Sequence, residues 1–142
     1  MRTVQACNMH DSGGSTFQQG GVAMVTIGAL TSKIMERGTD FTGLGRWCWQ
    51  VYAGAGGTTR VVTAYQPVVQ PDVTRVGATY QQQKRYWCSQ GELSCPRQLW
   101  RRDLLAQLRE WRARGDHLLL LADVNEHTGQ GALTQGLRAG DL

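Results

Sequence analysis

The 142-residue sequence lacks the features that mark membrane proteins, secreted proteins and zinc-binding modules. None of its apolar runs approaches the roughly 20 residues that a membrane-spanning helix requires. The opening segment, MRTVQACNMHDSGG, has no apolar core of signal-peptide length, so we expect an intracellular protein without a membrane partner. The four cysteines form no Cys-x-x-Cys pair and have no histidine at zinc spacing. We expect free thiols, with a disulfide between Cys88 and Cys95 as the alternative.

Lysine is also scarce, because arginine supplies 13 of the 15 basic residues. The net charge is +4, and the planar guanidinium group suits phosphate recognition. This excess is compatible with an anionic partner such as nucleic acid, although many ordinary proteins are equally basic. The length suits one domain with a single core, and the 41% hydrophobic content is that of an ordinary globular protein.

The first half of the chain predicts strands. GGVAMVTIG (20–28) is a short apolar run between glycines, which is typical of a buried strand. Residues 30–38 favour either a helical turn or a polar-edged strand. GRWCWQVYAG (45–54) and TRVVTAY (59–65) flank a glycine-rich loop, so they predict a hairpin whose second strand is central and stops at Gln66-Pro67.

Helical spacing dominates the second half. Residues 79–87 favour a helix, and the clearest helix covers 95–115, with Gly115 as its C-terminal cap. One apolar stripe runs along this helix through Leu99 or Trp100, Leu104, Leu108 and Trp111. HLLLL (117–121) predicts a strand buried on both faces, and 132–140 predicts the start of another helix. Strands alternating with helices predict an α/β or α+β layered sandwich.

Two predicted strands end in groups that can act on a phosphate. Tyr65 closes VVTAYQP, and Asp123 and Asn125 close LLLLADVN. Functional groups collect at strand ends in such sheets, and period-two spacing points Asp123 and Asn125 the same way if the strand continues through both. The carboxylate can take a proton from water, and the amide can donate a hydrogen bond to charge on phosphoryl oxygens. The alternatives are turn-capping roles for both Asx residues and a packed aromatic role for Tyr65.

These motifs resemble the endonuclease/exonuclease/phosphatase superfamily, the DNase I-like enzymes, and most closely the divergent nuclease-like domains of mobile elements. The matching stretches are QQGGVAMV, GLGRWCW, VVTAYQP, the arginine-rich helix and LLLLADVNEH, which together span about residues 18–127. One departure is Ala122, which stands before Asp123 where the family usually has glycine. The resemblance implies that residues 1–142 are a single partial domain of a DNase I-like four-layered fold, with two sheets face to face and helices outside.

The resemblance also implies a function and a site. The family hydrolyses phosphate esters with a metal ion, usually Mg²⁺, with Mn²⁺ as the substitute. Asp123 would orient or deprotonate the attacking water, Asn125 would hold the scissile phosphate, and Tyr65 would stand beside them. Asp123 and Asn125 are also the expected metal ligands. We therefore expect an endonuclease-like hydrolase, with DNA favoured over RNA as partner. A phosphatase of the same superfamily, and a catalytically dead module that binds nucleic acid or protein, are the alternatives.

Two parts of the family's site have no counterpart. The main metal-holding glutamate lies on a strand upstream of the segment that begins near Gly20, and residues 1–19 contain neither a glutamate nor an apolar strand. The family's closing Ser-Asp-His has no match after Asn125, because His127 is too near in sequence. We therefore expect the middle of such a domain, with an open apolar sheet face that drives self-association.

The remaining polar residues allow more than one interpretation. Glu126 suits either metal binding or the role of an acid at a helix N-terminus. His10 and His127 are interpreted as surface residues. Arg46 suits a turn with a buried ion pair, although the sequence assigns it no partner. A basic face on the 95–115 helix is either solvated or a nucleic-acid footprint, and it comprises Arg97, Arg101, Arg102, Arg109, Arg112 and Arg114.

Overall fold

The computed structural model describes residues 1–10, 18–127, 129–140 and 142. Within these ranges the chain forms six strands, one 3-10 helix and three α-helices. They are β1 Arg2–Ala6, β2 Val22–Thr26, η1 Gly28–Lys33, β3 Ile34–Thr39, β4 Trp47–Gly54, β5 Gly57–Tyr65, α1 Thr79–Ser89, α2 Pro96–Ala113, β6 His117–Asp123 and α3 Ala132–Ala139. In this described part, no helix combines the length and the apolarity that crossing a membrane requires.

Two sheets organise the fold. Strands β1 and β2 form an antiparallel pair, and the second sheet has four strands in the order β3-β4-β5-β6. Neighbours are antiparallel from β3 to β5, whereas β5 and β6 run parallel. A parallel pair needs a long crossover, which α1 and α2 supply. The structure therefore confirms the predicted mixed, layered α/β class.

The main core lies between the four-stranded sheet and α2. Its buried members are Trp47, Val62, Ala64, Trp100, Leu104, Leu108, Trp111 and Leu133. The predicted stripe of α2 is confirmed, because apolar residues three or four positions apart share one face of a helix. Each such side chain contributes about 1.5–3 kcal/mol when it is fully buried. This layer fixes the position of β5 and β6.

The opposite face of the four-stranded sheet carries the β1–β2 sheet. Cys48 packs there against Val4 and Ala6 of β1, and Val22 and Met24 of β2 lie alongside. The sequence showed no apolar strand in residues 1–19, and the structure places the largely polar strand β1 there. Only two small side chains of β1 are buried, so its sequence carries little apolar signal, and its pairing with β2 holds it in place.

Most predicted elements are confirmed. Strands β4 and β5 form the expected hairpin, with Gly54 paired to Gly57. The N–H of Gly115 donates to the carbonyl of Arg112 at 2.9 Å, and the φ of +92° at Gly115 is the left-handed geometry of a helix C-terminal cap. All four cysteines are free thiols. Residues 28–39 combine the two alternatives, a 3-10 turn followed by a strand, and this strand lies at the edge of the sheet.

Two burial predictions were wrong. Strand β6 is not buried on both faces, because Leu119 and Leu121 are 49% and 53% exposed. It lies at the edge of the sheet, where the β1–β2 layer does not cover it. Strand β2 is also only partly buried, since Val25 is 53% exposed. An apolar run in the sequence indicates a hydrophobic strand, but the topology of the sheet determines which elements cover that strand.

Candidate functional site

The candidate site lies at the carboxyl ends of β5 and β6. Because these strands run parallel, their last residues meet at one edge of the sheet, and Tyr65 pairs with Asp123 in the register. A cleft of about 370 Å³ opens beside this pair, with the beginning of β2 on its other side. It is lined by Gly21, Val22, Ala23, Thr63, Ala64, Tyr65, Leu121, Ala122 and Asp123. The structure thus brings two of the three predicted catalytic residues into one cleft.

Asp123 is exposed at the end of β6. Its carbonyl oxygen accepts the N–H of Gln66 at 2.8 Å, which ties the end of β6 to the segment after β5. Its Oδ1 accepts the N–H of Asn125 at a long 3.3 Å. Asp123 therefore has the turn-capping role, and this role uses only one of its two carboxylate oxygens. Both interpretations of Asp123 can hold at once.

Asn125 does not continue the strand. Strand β6 ends at Asp123, and Asn125 has a φ of +48°, in the left-handed region that asparagine tolerates better than most residues. Asp123 and Asn125 were expected to point the same way only if the strand continued through both, and it does not. The Nδ2 of Asn125 donates to the carbonyl of Gln66 at 2.8 Å, so the amide holds the segments after β5 and β6 together. Its roles toward a phosphate or a metal stay predictions.

Tyr65 stands between two cavities. It is half-buried, its N–H donates to the carbonyl of Arg46 at 3.0 Å, and its side chain borders the cleft of Asp123. It also borders a second cavity of about 120 Å³ that continues toward Gln19 and Thr79. Tyr65 is therefore part of the boundary of both cavities.

Arg97 positions the site, and the sequence interpretation missed this role. Its guanidinium donates to the carbonyl of Pro67 and to the carbonyls of Val124 and Asn125, each at 3.2 Å. It also lies 3.9 Å from Glu126, and only 14% of its side chain is exposed. Arg97 therefore joins the segments that follow β5 and β6. Its place one residue after Pro96, in the first turn of α2, is the local signal that separates it from the solvated arginines.

Glu126 binds the N-terminus of α3. Its carboxylate accepts the N–H groups of Ala132 and Leu133 at 3.3 and 2.9 Å, which are unpaired donors at a helix N-terminus. The helix-capping interpretation is confirmed. The histidines lie outside the cleft lining. The Nε2 of His10 is 2.6 Å from the carbonyl of Thr42, and His127 is exposed.

A buried ion network around Arg46 adjoins the end of β5, next to the candidate site. The side chain of Arg46 is fully buried and lies 2.8 Å from Asp103 and 3.4 Å from Asp40. Its guanidinium also stacks on Trp47, 4.4 Å from the ring centroid. The buried ion pair expected for Arg46 is confirmed, and Asp103 is the distant partner that the sequence did not assign. Because the Arg46 carbonyl accepts the Tyr65 N–H, this network fixes the end of β5.

The donor set at the cleft fits a water-rich magnesium ion. Asp123 is the carboxylate of the lining, and Mg²⁺ is commonly held by one or two carboxylates together with waters and substrate phosphates. Over the described ranges there is no group of three or more His, Cys, Asp or Glu residues that could form a metal cage. A magnesium ion in this cleft would therefore have Asp123 as its carboxylate ligand from the lining, with waters or a substrate phosphate as the other ligands.

Comparison of the chain with protein-family models, curated proteins and solved structures found no match. Inferences about its function therefore depend on the cleft itself and on the motif resemblance.

Proposed function

We propose that the chain is a metal-assisted phosphodiester hydrolase of the DNase I-like kind that acts on nucleic acid, with DNA favoured over RNA. The observation that carries this proposal is the pairing of Tyr65 with Asp123 in a cleft at the carboxyl ends of two parallel strands. Active sites in open α/β sheets lie outside the carboxyl ends of the strands. The β1–β2 layer on one face and helices on the other face agree with part of a four-layered sandwich.

The chemistry follows from the groups that line the cleft. In this proposal the Asp123 carboxylate orients a water molecule and accepts its proton as the water attacks phosphorus. The Tyr65 hydroxyl donates a hydrogen bond to a phosphoryl oxygen, where negative charge grows during attack. A magnesium ion held by Asp123 would supply further stabilisation of that charge. Asn125 and Arg97 act on this geometry by holding the two adjoining segments in place.

A plasmid-nicking assay tests the proposal. We expect Mg²⁺-dependent nicking that EDTA abolishes and that falls by at least about a hundredfold in Asp123→Ala, as for loss of a general base. Glu110→Ala is the matched control, because Glu110 is an exposed acid of α2 that pairs with Arg114 away from the cleft. Nicking that survives Asp123→Ala unchanged would count against the assigned site.

The second candidate is a nucleic-acid-binding module without hydrolysis. Two observations favour it: the net charge of +4, and a cleft lining in which Asp123 is the only acid. This alternative predicts DNA binding that weakens with salt, produces no nicks with any divalent metal, and is indifferent to Asp123→Ala. A phosphatase would instead release phosphate from a small monoester and leave the plasmid intact.

A further inference from the structure

The outer edge of β6 is open in the described part of the chain. Strand β5 hydrogen bonds to one side of β6, and no described strand lies on the other. His117, Leu119, Leu121 and Asp123 are exposed and share the face that the β1–β2 layer leaves uncovered. An edge strand with exposed leucines and unpaired backbone groups is a template for pairing with another strand.

The sequence of β6 is complementary to itself when the strand is reversed. In an antiparallel pair centred on Leu120, Leu119 of one strand lies opposite Leu121 of the other, and His117 lies opposite Asp123. On the exposed face, each contact then joins two leucines or an imidazole and a carboxylate. A parallel pair would place Asp123 beside Asp123. A slip of one residue would turn the leucines to opposite faces, so the pattern specifies one orientation and one register.

We propose that β6 pairs with β6 of a second copy of this chain, antiparallel about a two-fold axis at Leu120. The symmetric pairing joins the two four-stranded sheets edge to edge, and both open edges gain backbone hydrogen bonds. Leu119 and Leu121 pack against Leu121 and Leu119 of the partner subunit, which removes part of their exposed area from water. The charge complementarity of His117 and Asp123 is what identifies a second copy as the occupant.

The dimer brings a residue to the candidate site. Tyr65 already lies beside Asp123 on the strand next to it, and His117 of the partner subunit lies beside Asp123 on the other side. With strands about 4.8 Å apart, a phenol, a carboxylate and an imidazole stand in one row across the face of the cleft. The imidazole N–H donates to the Asp123 carboxylate and orients it. This positioning role depends on the proposed function, whereas the dimer itself does not.

Light scattering after size-exclusion chromatography, over a wide range of concentration, tests the dimer. We expect a monomer–dimer equilibrium that His117→Asp weakens roughly tenfold, because two symmetry-related pairs then place like charges opposite each other. The double variant His117→Asp/Asp123→His restores the attraction in reverse and is expected to regain the dimer. His127→Asp is the matched control, since His127 is also exposed but lies outside β6. Far-ultraviolet circular dichroism verifies that each variant is folded.

Disulfide cross-linking tests the register. In a background with exposed Cys7 and Cys88 replaced by serine, a mixture of Leu119→Cys and Leu121→Cys chains is expected to form a cross-linked dimer on oxidation. Either variant alone brings no two new thiols opposite each other and is expected to cross-link far less. A monomer at every concentration, association into larger species, or equal cross-linking in the unmixed samples would each overturn the proposal.

The two proposals fail separately. Absence of nicking by a dimer that shows the expected cross-link would refute the proposed function and leave the interface standing. Nicking by a chain that stays monomeric would refute the interface and leave the function standing. If both hold, His117→Asn lowers nicking by its own dimer, and mixing it with inactive Asp123→Ala rebuilds one intact pair of Asp123 and His117 in each mixed dimer. Recovery of nicking in the mixture is expected only when the imidazole orients Asp123 from the partner subunit, and no recovery would refute that role.

Discussion

Replacing Arg46 tests whether the buried ion network stabilises the fold. Arg46→Met removes the cation that lies 2.8 Å from Asp103 and 3.4 Å from Asp40, and both carboxylates are almost fully buried. Removing one partner of a buried ion pair typically costs about 3–5 kcal/mol, because a charge is left without compensation. Methionine retains part of the packing on Trp47 but loses the stacked cation.

The remaining contacts of the two carboxylates set the expected magnitude. Asp40 keeps hydrogen bonds from the backbone N–H groups of Thr42 and Arg46, each at 2.8 Å. Asp103 keeps Arg102, whose Nε lies 2.8 Å from Oδ1. Because both acids retain donors, we place the loss at the lower end of the range, about 3 kcal/mol. That is a large share of the roughly 5–15 kcal/mol by which domains are stable.

Urea denaturation followed by tryptophan fluorescence measures this loss. Arg112→Met is the control, because Arg112 is an exposed arginine of α2, the helix that carries Asp103, and its replacement should change stability by no more than about 0.5 kcal/mol. In the double variant Arg46→Met/Asp103→Leu one of the two carboxylates that lost Arg46 is gone, so part of the lost stability should return. A loss below about 1 kcal/mol in Arg46→Met would refute the reasoning, since it would mean that the network is energetically neutral.

Three further predictions concern the site support, the acid limit of stability and thiol reactivity. Arg97→Met should lower the nicking rate by about ten- to a hundredfold, because the segments after β5 and β6 lose the hydrogen-bond donor that they share. Single-turnover kinetics measure this rate, and an unchanged rate would exclude the positioning role of Arg97. Burial raises the pKa of Asp116, but hydrogen bonds from Thr58 and Arg60 outweigh it and hold the pKa below its usual value. The pKa of Asp116 is thus lower in the folded chain than in the unfolded chain, so the ionised carboxylate stabilises the fold. This contribution to stability is present above the unfolded pKa, near 4, and is lost as pH falls through the folded pKa. Asp116→Asn should therefore flatten the acid side of urea midpoints measured against pH. Burial raises the pKa of the Cys48 thiol to about 11, so Cys48 should resist a thiol reagent at mild alkaline pH until the chain unfolds, while the exposed cysteines react.

The sequence predicted the elements whose signal is local. The apolar stripe of α2, its glycine cap and the β4–β5 hairpin were all confirmed, because helical spacing and turn residues act over a few positions. The placement of Tyr65 and Asp123 at strand ends was also predictable. Their meeting at one edge followed only once β5 and β6 were seen to be parallel neighbours.

Longer-range features needed the tertiary structure. The apolar run of β6 could not reveal that the strand lies at an edge, so the exposure of Leu119 and Leu121 was mispredicted. Strand β1 carries too few apolar side chains to be recognised without its partner β2.

What the sequence alone determined about this protein is its set of local elements and the chemical groups at the ends of its strands. Only the tertiary structure decided which distant groups meet. Arg46 binds Asp103 across 57 positions, and Arg97 reaches the carbonyls of Val124 and Asn125 across 27 and 28. No local pattern encodes such pairs, because they form only after the packing of α2 on the sheet has closed the intervening loops.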